Sequence, residues 1–156
     1  MSITIDTLKS YGIFEDLSDS ELEILTAKFV EREFSNKEIL INANESSHAI
    51  YLILEGGVSV EVPKPDGSFE ELAKLSRGQT VGEFVLAKEA RRSATVRATG
   101  KLKIAEIQKE VLLEVFNQHP RMGYIVFKNL AEILVDRIRD TNMVARNALG
   151  LISQQM

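Results

Sequence analysis

The feature that most constrains the fold of this chain is a series of short apolar segments between Ile39 and Ile107, each bounded by turn-forming residues. Gly56-Gly57 separates two of these segments, and the stretch from Pro63 to Gly67 is typical of a hairpin tip. The segments that predict strands are 39–41, 49–54, 58–62, 69–75, 95–98 and 102–107. Many short strands at this spacing predict a β-barrel or a β-sandwich.

Helical patterns flank the strands on both sides. Ser18 and Glu21 form a capping-box pattern that predicts the start of an N-terminal helix. After Ile107 a helical period returns, and His119-Pro120 marks a break between two C-terminal helices. The second of these is predicted from about Arg121 to Ala148, ending near Gly150.

Net charge, the lack of cysteines and the spacing of the two histidines argue against several classes of function. The formal net charge of −4 argues against a nucleic-acid backbone or an anionic membrane surface as the main partner. Without cysteines or a long apolar run, the chain is expected to be cytoplasmic and to make no membrane contact. His48 and His119 lack the spacing of a paired metal site, which disfavours a cupin-like metalloenzyme. We therefore expect no metal, no cofactor and no enzymatic activity.

The segment from Gly82 to Val96 lies between two predicted strands and carries the candidate binding chemistry. A short helix starting at Gly82 would point its unpaired N–H groups at an anionic ligand. Arg92 can contact two oxygens of one phosphate, and Glu83 can accept a hydrogen bond from a sugar hydroxyl. Together these groups indicate a ribose phosphate; the alternative is a surface loop with one helical turn.

This segment resembles the phosphate-binding cassette of cyclic nucleotide-binding domains. The family pattern is Gly-Glu-Leu-(Ala or Gly)-Leu, a short variable run, then Arg-(Ser, Thr or Ala)-Ala-Thr-Val, and Glu83 and Arg92 keep its spacing. Residues 51–60 are similar to the family's Tyr-x-Ile-x-x-Gly-x-Val-x-Val hairpin, and the similarity runs from about Tyr11 to Asn147.

The resemblance implies a Crp/Fnr-like sensor domain. The implied fold is mainly β, a double-stranded β-helix (jelly-roll) barrel over about 34–107 with an N-terminal helix. C-terminal helices would cover about 108–148, within a single domain of residues 1–156.

The resemblance also implies a set of ligand contacts. Glu83 would hold the ribose 2′-hydroxyl, and Arg92 would pair with the cyclic phosphate. Two polar residues on the last helix contact the base in Crp-like members; the alternative for this chain is that they lie on a solvent-facing turn. The expected ligand-binding residues are Gly82, Glu83, Phe84, Val85, Arg92, Ser93, Ala94, Thr141 and Asn142.

Three positions depart from the family pattern. Val85 replaces a small residue, and its β-branched side chain is expected to crowd the short helix where the sugar approaches. Glu89 replaces a frequent glycine and Arg91 a frequent proline, so two adjacent arginines are candidates for the phosphate, of which the spacing favours Arg92. These departures favour one alternative function, a vestigial domain that acts as a protein-interaction scaffold.

We favour cAMP over cGMP as the ligand. The last predicted helix leads to expectations about assembly. The stripe of Leu130, Leu134 and Ile138 either packs on its own barrel or pairs with a second copy in a homodimer, which is the favoured alternative. Because seven residues follow Leu149, we expect no DNA-reading helix and no DNA contact. Output would then pass to an effector protein, or the chain would be part of a longer polypeptide.

Overall fold

A computed structural model of the protein describes residues 3–46, 48–87 and 92–155, with the side chains of 144 and 151–155 excepted. We call the short 3-10 helix over Glu83–Leu86 the cassette helix. The elements in chain order are α1 (Ile5–Lys9), a 3-10 turn (Gly12–Phe14), α2 (Asp19–Thr26), β1 (Val30–Phe34), β2 (Ile39–Ile41), β3 (Ala49–Glu55), β4 (Gly57–Pro63), β5 (Phe69–Ser76), β6 (Thr80–Val81), the cassette helix, β7 (Thr95–Ala98), β8 (Leu102–Gln108), α3 (Lys109–Gln118) and α4 (Pro120–Gln155).

The strands form two antiparallel four-stranded sheets. Their orders are β1-β8-β3-β6 and β2-β7-β4-β5, so strands distant in sequence lie side by side in both sheets. This arrangement confirms the predicted mainly β jelly-roll barrel with helices at both ends. The predicted strands are present, and β1 and the two-residue β6 are additional. Strand β1 was missed for a physical reason. Its residues Val-Glu-Arg-Glu-Phe carry three charges and only Phe34 is buried, so the apolar pattern is too weak to predict a strand.

Strand β3 separates two hydrophobic clusters because its side chains alternate between the two faces of its sheet. Ala49, Tyr51 and Ile53 lie in the cluster that fills the barrel. Ile50 and Leu52 lie in the other cluster, with side chains from the helices at both ends of the chain. The helices therefore cover the outer face of one sheet, and the barrel interior is filled separately.

The helix boundaries agree with the local signals in the sequence, with two differences. The Ser18 side chain accepts from the Glu21 N–H, as the capping-box pattern predicted. Helix α1 was not predicted, since its single turn is too short to show a period. Helix α4 continues through Gly150 to Gln155, because a single glycine without a following proline costs a helix only about 1 kcal/mol. Among the described residues, no helix is both long and apolar enough to cross a membrane.

Helix α4 divides into a packed half and an exposed half. Asn129, which is buried, donates hydrogen bonds of 3.0 and 2.8 Å to the carbonyls of Ile13 and Glu15 and so ties α4 to the N-terminal turn. Leu130 is buried in the helical cluster, whereas Ile138 is 59% exposed. The predicted apolar stripe therefore packs on its own domain at one end and faces solvent at the other.

Candidate functional site

The cassette helix begins at a glycine that no other residue can replace without strain. Gly82 has a φ of +82°, in the left-handed region. A Cβ atom at this position would lie 3.0 Å from the carbonyl oxygen of Ala49 and 2.9 Å from Nη1 of Arg92. Gly82 thus lets the chain turn sharply from β6 into the cassette helix while a neighbouring strand and a guanidinium group approach its backbone closely.

Arg92 is held at the site by both its side chain and its backbone. Its Nη1 donates to the Gly82 carbonyl at 3.1 Å, and its Nη2 donates to the Ala49 carbonyl at 2.6 Å. The Arg92 N–H donates to the Glu45 carbonyl at 2.9 Å, and its own carbonyl accepts from the Asn44 N–H at 2.7 Å. The guanidinium is therefore fixed between β3 and the cassette helix. Because the side chain is buried, the pKa of Arg92 lies below its ordinary value.

Glu83 is the most buried charged residue of the site, with 2% of its surface exposed. Burial raises the pKa of its carboxyl group above the ordinary value, and the Arg137 guanidinium is the main influence in the opposite direction. Nη1 of Arg137 lies 2.8 Å from Oε1 of Glu83. The contact is an ion pair rather than a well-aligned hydrogen bond, because the same oxygen has no partner of hydrogen-bond geometry within the described part of the chain.

Arg137 also lies over an aromatic ring of the cassette helix. Its guanidinium carbon is 5.1 Å from the centre of the Phe84 ring, within the range of a cation–π contact. Phe84 is about half exposed, which is unusual for a large apolar side chain. The two contacts of Arg137 join the middle of α4 to both sides of the cassette helix.

A cavity of about 240 Å³ separates the cassette helix from α4. Thr141 and Asn142, predicted to contact the base, line this cavity and are exposed to it. The Thr141 hydroxyl donates to the Arg137 carbonyl at 2.9 Å, one helical turn earlier. The residues that line the cavity are Phe84, Leu134, Arg137, Ile138, Thr141 and Asn142.

The remaining predicted site residues occupy different environments. Ser93 is exposed and Ala94 is partly exposed. Val85 is buried in the helical cluster and does not line the cavity, and its effect on the approach of the sugar stays a prediction. The tight turn of the cassette helix directs Phe84 outward and Val85 into the core. Glu89 and Arg91 lie outside the described residues.

Sequence reasoning missed Arg137, which makes the only salt bridge to Glu83 among the described residues. An arginine in an exposed helix is ordinarily a solvated surface charge, and no motif distinguishes this one. A usable signal is its position four residues before Thr141, which puts both on the same helix face. The described residues include no group of three or more histidine, aspartate or glutamate side chains arranged to hold a metal ion.

The jelly-roll barrel, the cassette helix at a left-handed glycine and the buried arginine define a class of protein. The chain belongs to the cyclic nucleotide-binding domain family, whose model matches residues 31–119. This confirms the resemblance noted in the sequence.

Two curated proteins with cAMP in their names are similar to this chain in sequence. The chain is 34% identical over 107 residues to a cAMP-dependent protein kinase regulatory subunit of Mycosarcoma maydis, covering 69% of this chain and 20% of that protein. It is 29% identical over 126 residues to the cAMP-activated global transcriptional regulator CRP of Pasteurella multocida, covering 80% and 60%. The chain thus spans between 20% and 60% of the length of these two curated relatives.

The fold is shared with a solved regulator. The crystal structure of the Thermus thermophilus catabolite activator protein has a TM-score of 0.74 and 25% identity to this chain, covering 86% of this chain and 61% of that one.

Proposed function

We propose that this domain is a cyclic nucleotide sensor that binds its ligand between Arg92, the cassette helix and α4, without chemical turnover. The observation that carries the proposal is the joint burial of Arg92 and Glu83, whose opposite charges act on each other across the cassette helix. Neither residue lines the cavity, but Arg137, the partner of Glu83, does. Buried charges are costly to keep, so such a pair favours a ligand that uses both charges.

The phosphate and the ribose of such a ligand match these two residues. The carbonyl contacts of Arg92 fix the plane of its guanidinium, and a planar guanidinium pairs with two phosphate oxygens at once. Glu83 directly follows Gly82, whose carbonyl accepts from Arg92, and its carboxylate would accept a hydrogen bond from the ribose 2′-hydroxyl. Ser93, Ala94 and the backbone N–H groups of the cassette helix would add polar contacts.

Helix α4 would sense the ligand through Arg137. A ribose hydroxyl and Arg137 both use the carboxylate of Glu83, so occupancy would change the strength of the contact between α4 and the cassette helix. A ligand shifts only an equilibrium whose two states it binds differently, and this shared carboxylate supplies such a difference. Movement of α4 would then pass the signal to the exposed half of the helix, which we propose pairs with a second copy of the chain.

We favour cAMP as the ligand over cGMP. Both curated relatives described above have cAMP in their names. Thr141 and Asn142 lie on the cavity, and their hydroxyl and amide groups can donate to and accept from an adenine edge. On this proposal, Asn142→Ala lowers the ratio of cAMP to cGMP affinity and leaves phosphate binding intact.

Calorimetric titration with cAMP and cGMP tests the proposal. We expect wild-type protein to bind, and Arg92→Ala to lose at least tenfold in affinity because a hydrogen bond to a charged group contributes about 1.5–3 kcal/mol. Arg97→Ala is the matched control, since Arg97 pairs with Glu61 on the neighbouring strand. Equal affinities of wild-type protein and Arg92→Ala would contradict the assigned role.

A vestigial scaffold is the second candidate. The observation that favours it is that both charged residues already have protein partners, because Arg92 donates to two carbonyls and Glu83 forms an ion pair with Arg137. A thermal-shift measurement decides between the two. A melting temperature that rises with cyclic nucleotide concentration eliminates the scaffold, and one that stays constant at millimolar nucleotide supports it.

A further inference from the structure

Tyr51 lies on β3, one of the two elements that hold the side chain of Arg92. It follows Ala49 by two residues on β3, so both side chains project from the same face of the sheet. Its partner across the sheet is Val81 on β6, the residue before Gly82. Since Arg92 donates to the carbonyls of Ala49 on β3 and of Gly82 at the start of the cassette helix, it is anchored near Tyr51 on both sides.

The hydroxyl of Tyr51 lacks the partner that a buried tyrosine ordinarily has. The residue is 5% exposed, and its hydroxyl makes no hydrogen bond with any other residue that the structure describes. Tyr11, which is also a buried residue, provides the contrast, because its hydroxyl donates to the carbonyl of Ile53. The polar end of Tyr51 is therefore available to a group that the protein itself does not supply.

The charges around Tyr51 indicate what kind of group that is. Burial is the main cause that raises the pKa of Tyr51, so the phenol stays protonated at neutral pH and is a donor. Glu106 and Glu45 raise this pKa further, whereas Arg32 and Arg92 lower it. The hydroxyl thus lies within the field of the guanidinium that we assign to the phosphate.

We infer that Tyr51 is a ligand contact whose hydroxyl donates a hydrogen bond to an exocyclic oxygen of the cyclic phosphate held by Arg92. The inference rests on the proposed function. A cyclic phosphodiester has two exocyclic oxygens and one negative charge, so a guanidinium and a neutral donor together can serve both oxygens without excess positive charge.

The test is Tyr51→Phe, which keeps the ring and removes the hydroxyl. Affinities for cAMP and for its Sp and Rp phosphorothioates, in which sulfur replaces one or the other exocyclic oxygen, are measured by calorimetry. We expect a loss of about tenfold to a hundredfold for cAMP, the range for a hydrogen bond to a charged group. The loss should be much smaller for the one diastereomer whose sulfur already replaces the accepting oxygen. Tyr124→Phe removes an exposed hydroxyl on α4 and is the matched control.

The outcomes separate this inference from the function on which it rests. Wild-type protein that binds none of the nucleotides overturns both. Wild-type binding with unchanged affinity in Tyr51→Phe, or with equal losses for the two diastereomers, overturns the role of Tyr51 alone. A second readout that needs no loss of the hydroxyl is the ¹⁹F resonance of Tyr51 in 3-fluorotyrosine-labelled protein. It should shift on addition of cAMP while that of Tyr124 stays unchanged, and a stationary Tyr51 resonance counts against the contact.

Discussion

The guanidinium of Arg137 lies 2.8 Å from a carboxylate oxygen of Glu83, which joins the middle of α4 to the start of the cassette helix. The side chain of Arg137 is 44% exposed and that of Glu83 only 3%, so the buried charge depends on a partner that reaches in from a solvent-facing helix. An ion pair with one buried partner helps to hold α4 in place. Because its other partner, Arg137, is partly exposed to solvent, a ligand can reach the pair and weaken it.

Removing Arg137 should destabilise the domain. Leaving a buried charge without its partner costs about 3–5 kcal/mol, and partial exposure of Arg137 reduces this to about 1–2 kcal/mol for Arg137→Ala. Urea denaturation at neutral pH measures the change in free energy of unfolding. Arg139→Ala, an exposed residue two positions along α4, should have no measurable effect. Equal unfolding midpoints for Arg137→Ala and wild-type protein would show that the pair contributes nothing.

The stability of the domain should depend on pH through Glu83. Because the pKa of Glu83 is raised in the folded state, the folded protein binds the proton more tightly than the unfolded chain. The stability linked to this group is therefore fully present below the ordinary glutamate pKa of 4.5 and is lost as the pH rises through the raised pKa. Relative to Glu83→Gln, wild-type protein should lose free energy of unfolding between pH 4 and pH 8. A difference that stays constant over this range argues against the raised pKa.

Gly82→Ala should impair both folding and binding. The left-handed backbone costs a residue with a Cβ about 1–2 kcal/mol, and here the new atom also meets the Ala49 carbonyl and Arg92. Gly67→Ala separates the two effects, since Gly67 has a φ of +89° and an added methyl group there would have no neighbouring atom within 4 Å. Thermal denaturation and nucleotide titration of both variants provide the comparison. Gly67→Ala should lose only stability, and equal losses for both variants would mean that the close approach at Gly82 is unimportant.

If the exposed half of α4 pairs two copies of the chain, Ile138→Glu should give a monomer. An uncompensated charge buried in an apolar interface costs about 3–5 kcal/mol. Met143 is also exposed but lies roughly 140° around the helix from Ile138, so Met143→Glu is the control that should remain a dimer. Sedimentation velocity reports the oligomeric state. Wild-type protein that sediments as a monomer at high concentration contradicts the homodimer.

The parts of this protein that its sequence determined by itself are those governed by short-range physics. The capping box of Ser18 and Glu21 and the break at His119-Pro120 depend on a few neighbouring residues, and each has the predicted conformation. The spacing of Glu83 and Arg92 could be recognised in the sequence for the same reason. Strand β1 could not, since its charged residues pair with residues of β8 that are seventy or more positions away.

Tertiary structure alone decided which of these residues meet. The register of β3 with β6 sets Tyr51 beside Val81, the residue before the Gly82 carbonyl that accepts from Arg92, and the packing of α4 brings Arg137 to Glu83 across 54 positions of sequence. The core around Val85 decides that its side chain points inward, which its residue type alone does not. Local geometry is set by torsional and hydrogen-bonding preferences within a few residues, whereas distant contacts arise only when burial of both clusters selects one packing of the whole chain.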